Sequence, residues 1–168
     1  MKYPPAKLRE YFCYDPETGF FRWRKHRCKI FVGRVAGCRS EHGYWLLTLF
    51  DKKMLAHKVA WAITYGRWPE FDIDHEDLDK GNNRIKNLRR SNKSNNGANR
   101  PPQVNNTSGF KGVFWHEGAR KWMVQIRVRN KLLYGGLFNK KQEAAKAYDV
   151  LAAKHFGLHA RLNYREAA

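Results

Sequence analysis

The sequence lacks a long apolar run. No stretch of about 18 consecutive apolar residues occurs, so nothing in the chain has the length and composition of a transmembrane helix. The opening residues, MKYPPAKLRE, also lack the apolar core of a signal peptide. These two absences predict a protein that has no membrane partner and stays in the cytoplasm.

Cysteine is scarce. Cys13, Cys28 and Cys38 are an odd number and form no CxxC pair, which argues against a disulfide framework and against a four-thiolate zinc site. His26 lies close to Cys28 in sequence and could join it at a metal site. Free thiols in the core or at the surface are the favoured interpretation.

Acidic residues are few. Lys and Arg total 33 against 15 Asp and Glu, and the formal net charge is +18. A charge of this sign and size attracts phosphate backbones, so nucleic acid is the leading candidate partner. A ribosomal or merely soluble basic protein is the alternative. The content of 42% hydrophobic and 14% aromatic residues is enough for one ordinary domain or two small ones.

A change in composition predicts where two domains meet. The segment GANRPPQVNNTSG, residues 97–109, combines two prolines with Asn, Ser and Gly, which is typical of a linker or an exposed turn. We therefore predict a domain at residues 1–100, a linker at residues 101–108 and a second domain at residues 109–164.

The first predicted domain begins with strand-forming sequence. The runs GFFRWR and GYWLLTLF are rich in aromatic and aliphatic residues and follow turn residues. MLAHKVAWAITYG has helical spacing of its apolar residues, with Gly66 where the helix would end. His57 in this helix could face DNA or a metal, but a structural or surface role is favoured.

Six acidic residues then cluster within ten positions of this basic chain, between residues 70 and 79. FDIDH predicts a short strand that ends at Asp74 and His75, and EDLDKGNN predicts a turn. RIKNLR predicts a second strand, and SNKSNNGAN predicts a helix with Ser91 as its N-cap. The motif core, residues 71–99, therefore reads as strand, loop, strand and helix.

This unit offers the groups that phosphodiester hydrolysis needs. A carboxylate on the strand and an amide on the helix could meet on one Mg²⁺ or Mn²⁺, because both ions prefer oxygen ligands. An imidazole beside them could take a proton from the attacking water. Asp74, Asn96 and His75 fit these demands. Taken singly, an Asp-His pair or an Asn-rich tract is more often a solvated turn.

The joint spacing of the motif resembles the HNH nucleases of phages and of group I intron homing endonucleases. The upstream segments YDPETGFFRW, GYWLLTL and AHKVAWAITYGRWPEFDIDH extend the likeness over residues 10–100. The resemblance implies that His75 is the general base and that Asp74 and Asn96 hold one Mg²⁺ or Mn²⁺. The other roles that it implies are loop fixing by Asn87 within the catalytic set, loop bracing by Asn83, and phosphate contacts by Arg84 and Arg89.

Two positions depart from the pattern of this family. Leu78 stands where the family often carries Gly, and Asn82 stands where it often carries Asp. Both positions belong to the turn, so the departures concern turn geometry and an accessory acidic contact. The proposed base and metal ligands are all present.

The last third of the chain has its own pattern. SGFKGVFWHEGARKWMVQIRVRNKLLYGGLF predicts a three-stranded antiparallel meander, and NKKQEAAKAYDVLAAKHFG predicts a helix that ends at Gly157 and covers one sheet face. Trp122 is interpreted as packing and not as stacking on DNA. The other face is either an ordinary solvated face or a surface for phosphates and base edges. Its candidate DNA contacts are Lys111, Gln125, Arg127 and Arg129.

The segments GVFW, KWMVQIRV, YGGLF, EAAKAYDVLAAKHFG and ARLN resemble the Apetala-type, or ethylene-response-factor, DNA-binding domain. Such domains also occur at the C-terminus of phage HNH nucleases. Phe114 and His116 stand where the plant proteins carry arginine, so base specificity does not carry over. The DNA-facing positions that the resemblance implies are Lys111, Gln125, Arg127 and Tyr134.

Together these observations predict an α+β protein. A β-rich region leads into a ββα-metal nuclease unit, followed by a three-stranded antiparallel sheet packed on one helix. The predicted function is metal-dependent hydrolysis of phosphodiester bonds in double-stranded DNA by a monomeric HNH endonuclease of homing or phage type, in the cytoplasm of a bacterial or phage-infected cell. The alternatives are a catalytically inactive DNA-binding regulator that retains the HNH scaffold and a basic RNA-binding protein.

Overall fold

The computed structural model describes residues 2–26 and 28–164. The chain divides into two units, the first ending at Ser91 and the second beginning at Asn92. Both units combine helices with small antiparallel sheets, so the fold is α+β, as predicted. Across the described residues, no helix has the length and apolar character needed to cross a membrane.

The first unit consists of short elements. They are α1 (Pro5–Tyr11), β1 (Phe12–Tyr14), β2 (Phe21–Trp23), β3 (Cys38–Arg39), β4 (Trp45–Leu49), β5 (Lys52–Leu55), α2 (Ala56–Tyr65), β6 (Asp72–His75) and β7 (Leu88–Ser91). Single 3₁₀ turns form at Lys29–Phe31 and Ile85–Asn87. Antiparallel pairing joins β1 with β2, β4 with both β3 and β5, and β6 with β7. Cys13, Cys28 and Cys38 are exposed free thiols, in agreement with the favoured interpretation.

Helix α2 supplies one wall of the core of the first unit. Its buried face consists of Ala56, His57, Val59, Ala60 and Ala62, at spacings that place them on one side of a helix. Small side chains there let aromatic and aliphatic residues of α1 and the strands approach closely. Gly66 follows with φ 72 and ends the helix at the predicted position.

The β6–β7 hairpin follows α2 and carries the acidic motif. Its register pairs Asp72 with Ser91 and Asp74 with Arg89. The prediction that Ser91 caps the next helix is wrong, because Ser91 still belongs to the ladder of β7. Asn92 is the N-cap instead, and its Oδ1 accepts a hydrogen bond of 2.9 Å from the backbone N–H of Asn95.

The second unit contains a short helix, a sheet and a long helix. These are α3 (Lys93–Asn99), β8 (Val113–His116), β9 (Lys121–Val128), β10 (Lys131–Phe138) and α4 (Lys141–Phe156), with a 3₁₀ turn at Gly157–His159. The strands form the predicted meander, with β9 in the centre and α4 on one face. Trp122 is partly buried against this core, as the sequence predicts.

Gly112 sets how closely the sheet and α4 approach. It has φ +73, and a Cβ at this position would lie 2.1 Å from the ring of Tyr148 on α4. No other residue type fits there without displacing the ring. The absence of a side chain at Gly112 therefore allows the ring of Tyr148, which is 3% exposed, to pack against the backbone at this position.

Helix α3 groups with the second unit, although the sequence assigns it to a first domain at residues 1–100. Ala98 belongs to the same buried cluster as the sheet and α4, and its carbonyl accepts a hydrogen bond of 3.2 Å from the backbone N–H of Arg161. The hydroxyl of Ser94 accepts a hydrogen bond of 3.2 Å from the backbone N–H of Arg129. Residues 101–108 form neither helix nor strand, which suits a connecting segment.

Candidate nuclease site and nucleic-acid interface

Strand β6 ends in two adjacent buried polar residues, Asp74 and His75, which are 8% and 5% exposed. The carboxylate Oδ2 of Asp74 accepts hydrogen bonds from Nε and Nη2 of Arg89, at 3.1 and 2.9 Å. This cross-strand ion pair is largely shielded from water, and the two charge-assisted hydrogen bonds fix the direction of the carboxylate. Arg89, expected near phosphates, is thus in contact with a proposed metal ligand, and Glu76 lies 3.9 Å from its Nη1.

The imidazole of His75 is held largely away from water. Burial lowers its pKa below the usual value of a histidine. The opposing, weaker contributions come from a hydrogen bond to the Asn83 side chain and from the charges of Asp77, Asp74 and Asp79. A lowered pKa keeps the ring neutral at neutral pH. In that state the ring can accept a proton from water.

A second histidine lies beside His75. The ring of His57 on α2 meets that of His75 edge to face, with centroids 5.1 Å apart, and Tyr44 lies 5.5 Å from the ring of His57. Burial lowers the pKa of His57 to about 3, and Nδ1 of this ring has no hydrogen-bond partner among the described residues. His57 therefore stays neutral at neutral pH and packs against the ring of His75. Sequence spacing gave no sign of this contact, because 18 positions separate the two residues in the chain.

The loop between β6 and β7 is closed by Asn87. Its Nδ2 donates to Oδ1 of Asp77 and to the carbonyl of Asn82, both at 2.9 Å, and its Oδ1 accepts from the backbone N–H of Asp77 at 3.1 Å. One buried amide thus ties the beginning of the loop to its end. This geometry fits the loop-fixing role that the resemblance implies for Asn87.

Two more residues shape the same loop. Asn83 is 2% exposed, its Nδ2 donates to the carbonyl of Gly81 at 3.0 Å, and its own carbonyl accepts from the Tyr14 hydroxyl at 2.6 Å. Leu78 adopts φ 69, a left-handed conformation in which a side chain is strained. The family's frequent glycine at this position therefore has a physical reason. Arg84 is exposed on the outer side of the loop.

Asn96, the other proposed metal ligand, lies on α3 in the second unit. Its Oδ1 is buried and has no hydrogen-bond partner among the described residues. A buried carbonyl oxygen without a donor is costly, and a hard cation would satisfy it. Within the described part of the chain, no three His, Cys, Asp or Glu side chains are grouped for a metal.

Three predicted DNA contacts lie on the sheet of the second unit. Gln125 of β9 pairs with Tyr134 of β10, and Arg127 pairs with Leu132. Arg127 and Tyr134 are exposed, and Gln125 is half-buried. Because paired residues of neighbouring strands share a face, the sheet presents these three side chains together on the face opposite α4.

Lys111 and Arg129 have different surroundings. The Lys111 ammonium donates to the carbonyls of Gly97, Ala98 and Arg100 at the end of α3, with Nζ 2.6 Å from the Arg100 oxygen. Burial lowers its pKa to about 8. These contacts occupy the donors of Lys111 within the second unit. Arg129 is exposed in the turn between β9 and β10.

Known proteins are similar to two parts of the chain. Residues 54–98 match a family described as HNH endonuclease, and this segment contains the β6–β7 hairpin, its loop and Asn96. The AP2-like ethylene-responsive transcription factor CRL5 of Oryza sativa subsp. japonica is 46% identical over 59 residues, which is 34% of this chain and 9% of that protein.

Proteins of Arabidopsis thaliana give the same result. The AP2-like ethylene-responsive transcription factors AIL5 and PLT2 are each 44% identical over 59 residues, or 34% of this chain, and the match covers 11% and 10% of their lengths. The chain thus spans about a tenth of the curated relatives that it matches. The chain is therefore similar to HNH endonucleases over residues 54–98 and to AP2-like transcription factors over 59 residues.

Proposed function

We propose that this protein is a metal-dependent endonuclease that hydrolyses phosphodiester bonds in double-stranded DNA. The observation that carries the proposal is the pair Asp74 and His75 at the end of β6, inside the segment that matches HNH endonucleases. A carboxylate held in place by an arginine and an imidazole kept neutral by burial stand next to each other there. Metal-assisted hydrolysis of a phosphodiester needs an oxygen ligand for the cation and a base for the attacking water.

In this proposal His75 takes the proton of the attacking water on its imidazole. The ring is ready for this step because burial disfavours its charged form. Asn87 holds the loop that follows β6, and Asn83 of the same loop hydrogen-bonds the side chain of His75. Arg89 fixes the orientation of Asp74 by donating two hydrogen bonds to one carboxylate oxygen. These residues act by position, and only His75 moves a proton.

A bound Mg²⁺ or Mn²⁺ would stabilise the negative charge that develops on the phosphate and on the leaving oxygen. Asp74 and Asn96 are the residues proposed to hold it. Their oxygens are the hard ligands that these ions prefer. The buried, unpartnered Oδ1 of Asn96 supports its assignment.

We propose that the second unit is the AP2-like region and that it binds duplex DNA. The relatives are transcription factors by name, and the chain carries a net charge of +18. Gln125, Arg127 and Tyr134 are the proposed contacts of the sheet, with Arg129 and Arg84 as exposed phosphate contacts. Lys111 is better explained as a support for α3, because its donors already serve backbone carbonyls.

A nicking assay tests this proposal. Supercoiled plasmid is incubated with the protein in Mg²⁺ or Mn²⁺, with and without chelator, and nicked circles are measured. The matched control for His75→Ala is His42→Ala, because the His42 side chain is exposed and the contact of this residue with the hairpin loop, from Lys80 Nζ to its backbone carbonyl, does not involve the side chain. Cation-dependent nicking by the unchanged protein and by His42→Ala, but not by His75→Ala, is the expected result.

Two other functions give different outcomes in the same experiment. A catalytically inactive regulator would shift duplex DNA in a gel and never nick it in either cation. An RNA-binding protein would be displaced from labelled duplex DNA by RNA at lower concentration than by DNA. The proposed setting is a monomer of phage or homing type in the cytoplasm of a bacterial or phage-infected cell, and sedimentation of the purified chain tests the monomer.

A further inference from the structure

The exposed face of the second unit's sheet is unusual for a surface that binds nucleic acid. The register places Phe114 opposite Met123 and Met123 opposite Leu137, so these three lie on the same face as Gln125 and Arg127. The irregularity between Tyr134 and Gly136 brings Leu137 into this row. The face is therefore a continuous array that crosses all three strands.

Most of this array is apolar and open to solvent. Phe114 is 47% exposed, Leu132 is 53% exposed and Leu137 is 38% exposed. Tyr134 adds an aromatic ring at 63%. The apolar residues of the opposite face, among them Val124 and Ile126, are buried under α4 and its neighbours. An exposed apolar array on a sheet that already has a complete core indicates a surface for a ligand.

Charge on the same face indicates what the ligand is. Arg127 lies on this face and is exposed. Lys121, at the opposite end of β9, is an even number of residues away from Arg127 and therefore lies on the same face. The chain as a whole carries +18. A face with cations at both ends and an apolar centre matches a DNA major groove, where phosphates flank the base edges.

The centre of the face matches one kind of base pair. Guanine offers two acceptors in the major groove and is read by Arg or Lys, adenine is read by Asn or Gln, and the thymine 5-methyl group is read by apolar contact. Here the central polar group is the Gln125 amide, whose Nε2 lies 3.6 Å from the Met123 thioether. Its neighbours Phe114 and Met123 are apolar.

Resting on the proposed function, we propose that this face reads A·T base pairs in the major groove. Gln125 hydrogen-bonds adenine, and Phe114 and Met123 contact the 5-methyl groups of thymine. The sequence has Phe114 at a position where the plant proteins carry arginine. Phe114 cannot donate a hydrogen bond to a base edge, so apolar contact with a methyl group is the readout open to it.

The first step of the test is selection. The full chain, in the presence of chelator to prevent cleavage, selects binding sites from a pool of random duplexes. The selected duplex is then remade with uracil in place of each thymine in turn. Uracil keeps the base pairing and the phosphates and removes only the methyl group from the major groove.

The expected result is a selected site with A·T pairs at its core, and a loss of affinity of about fourfold for each contacted methyl group removed. Phe114→Ala should bind the thymine duplex more weakly and lose its sensitivity to uracil at one position. The matched control is Val150→Ala, an exposed apolar residue on α4, which should keep the full effect of uracil. Such a cycle isolates the contact between one side chain and one methyl group.

Two results would overturn the inference. Equal affinity of the unchanged protein for thymine and uracil duplexes would refute it, while duplex binding and nicking left intact would preserve the proposed function. Absence of duplex binding altogether would refute both. The uracil comparison uses the unchanged protein, so it decides the question even where Phe114→Ala does not fold.

Discussion

The β6–β7 hairpin and the exposed face of the β8–β10 sheet differ in how their functional side chains are exposed to solvent. In the hairpin, Asp74, His75 and Asn87 are buried, and neighbouring side chains fix their orientation. On the sheet, Phe114 and Tyr134 are about half exposed or more. In the hairpin, the orientation of each polar side chain is fixed before any substrate binds. On the sheet, the side chains are exposed and can contact a substrate directly.

The two regions therefore suit different kinds of function. Proton transfer requires a controlled pKa, which requires a low-dielectric environment and therefore burial. Reading a base sequence requires side chains that can reach the groove, and therefore exposure. Changes in the hairpin are expected to affect turnover and stability, and changes on the sheet are expected to affect affinity and selectivity.

The largest effect is expected at the two proposed metal ligands. Asp74→Asn should abolish nicking and also destabilise the fold by about 1–3 kcal/mol, because it replaces the carboxylate that accepts two hydrogen bonds from Arg89 with a neutral amide. Asn96→Ala should abolish nicking with little change in stability, since the Oδ1 that it removes has no partner. Thermal unfolding and plasmid nicking, with excess Mn²⁺ as a rescue, measure both. Normal nicking by Asn96→Ala would place the ligand elsewhere, with Asn95 or Asn99 next.

A smaller loss is expected at the proposed base. His75→Ala should lower the nicking rate by about 100-fold or more while duplex affinity stays nearly constant, because the proton acceptor is separate from the reading surface. Initial rates on plasmid and fluorescence polarisation with a labelled duplex measure the two quantities. A parallel loss of rate and affinity would show that the hairpin also binds DNA. Catalysis and DNA binding would then not be separated between the two regions.

Acid should destabilise the first unit, in which His57 is buried. The pKa of His57 is about 3 in the fold and 6.5 when unperturbed, so between these values the unfolded chain binds more protons than the folded one. Unfolding therefore becomes easier as the pH falls below 6.5, by about 2 kcal/mol at about pH 5. Urea unfolding across this range measures the slope. His57→Phe should flatten it and His42→Ala should not, and an unchanged slope in His57→Phe would contradict the assignment.

The smallest effect is expected in the turn. Leu78→Gly should stabilise the protein by up to about 1 kcal/mol, because glycine adopts φ 69 without strain, although it loses more chain entropy on folding. Leu78→Ala is the control, since it keeps the Cβ and should show no gain. The thermal midpoints of the two variants are compared. A lower midpoint for Leu78→Gly would mean that the leucine side chain contributes packing that outweighs its backbone strain.

The local features of the fold could be predicted from the sequence. Gly66 and Gly157 end their helices as expected, because a helix end requires a local backbone conformation that glycine adopts easily. The three-stranded meander follows from alternation and turn residues that lie within a few positions of each other. The N-cap prediction failed by one residue, since Ser91 and Asn92 are both good caps and only the ladder of β7 distinguishes them.

The long-range features could not be predicted in this way. Lys111 has the charge and position of a DNA contact, and its role depends on carbonyls that lie before the linker. Arg89 has the same charge, and only the hairpin register shows that it meets Asp74. The contact of His57 with His75 depends on how α2 packs. The roles of Gln125, Arg127 and Asn96 stay predictions, although the first two lie on the exposed face of the sheet and the third lies on α3.

The grouping of α3 with the second unit has a consequence for the newly made chain. This helix has seven residues, and isolated helices shorter than about 12 residues are barely stable in water. Its supports, from Lys111 to Arg161, leave the ribosome after it does. In a nascent or prematurely ended chain, the strand that carries His75 is therefore complete before the helix that carries Asn96 is stable. Under the proposed function, synthesis itself delays DNA cutting until the part of the protein that selects the target is complete.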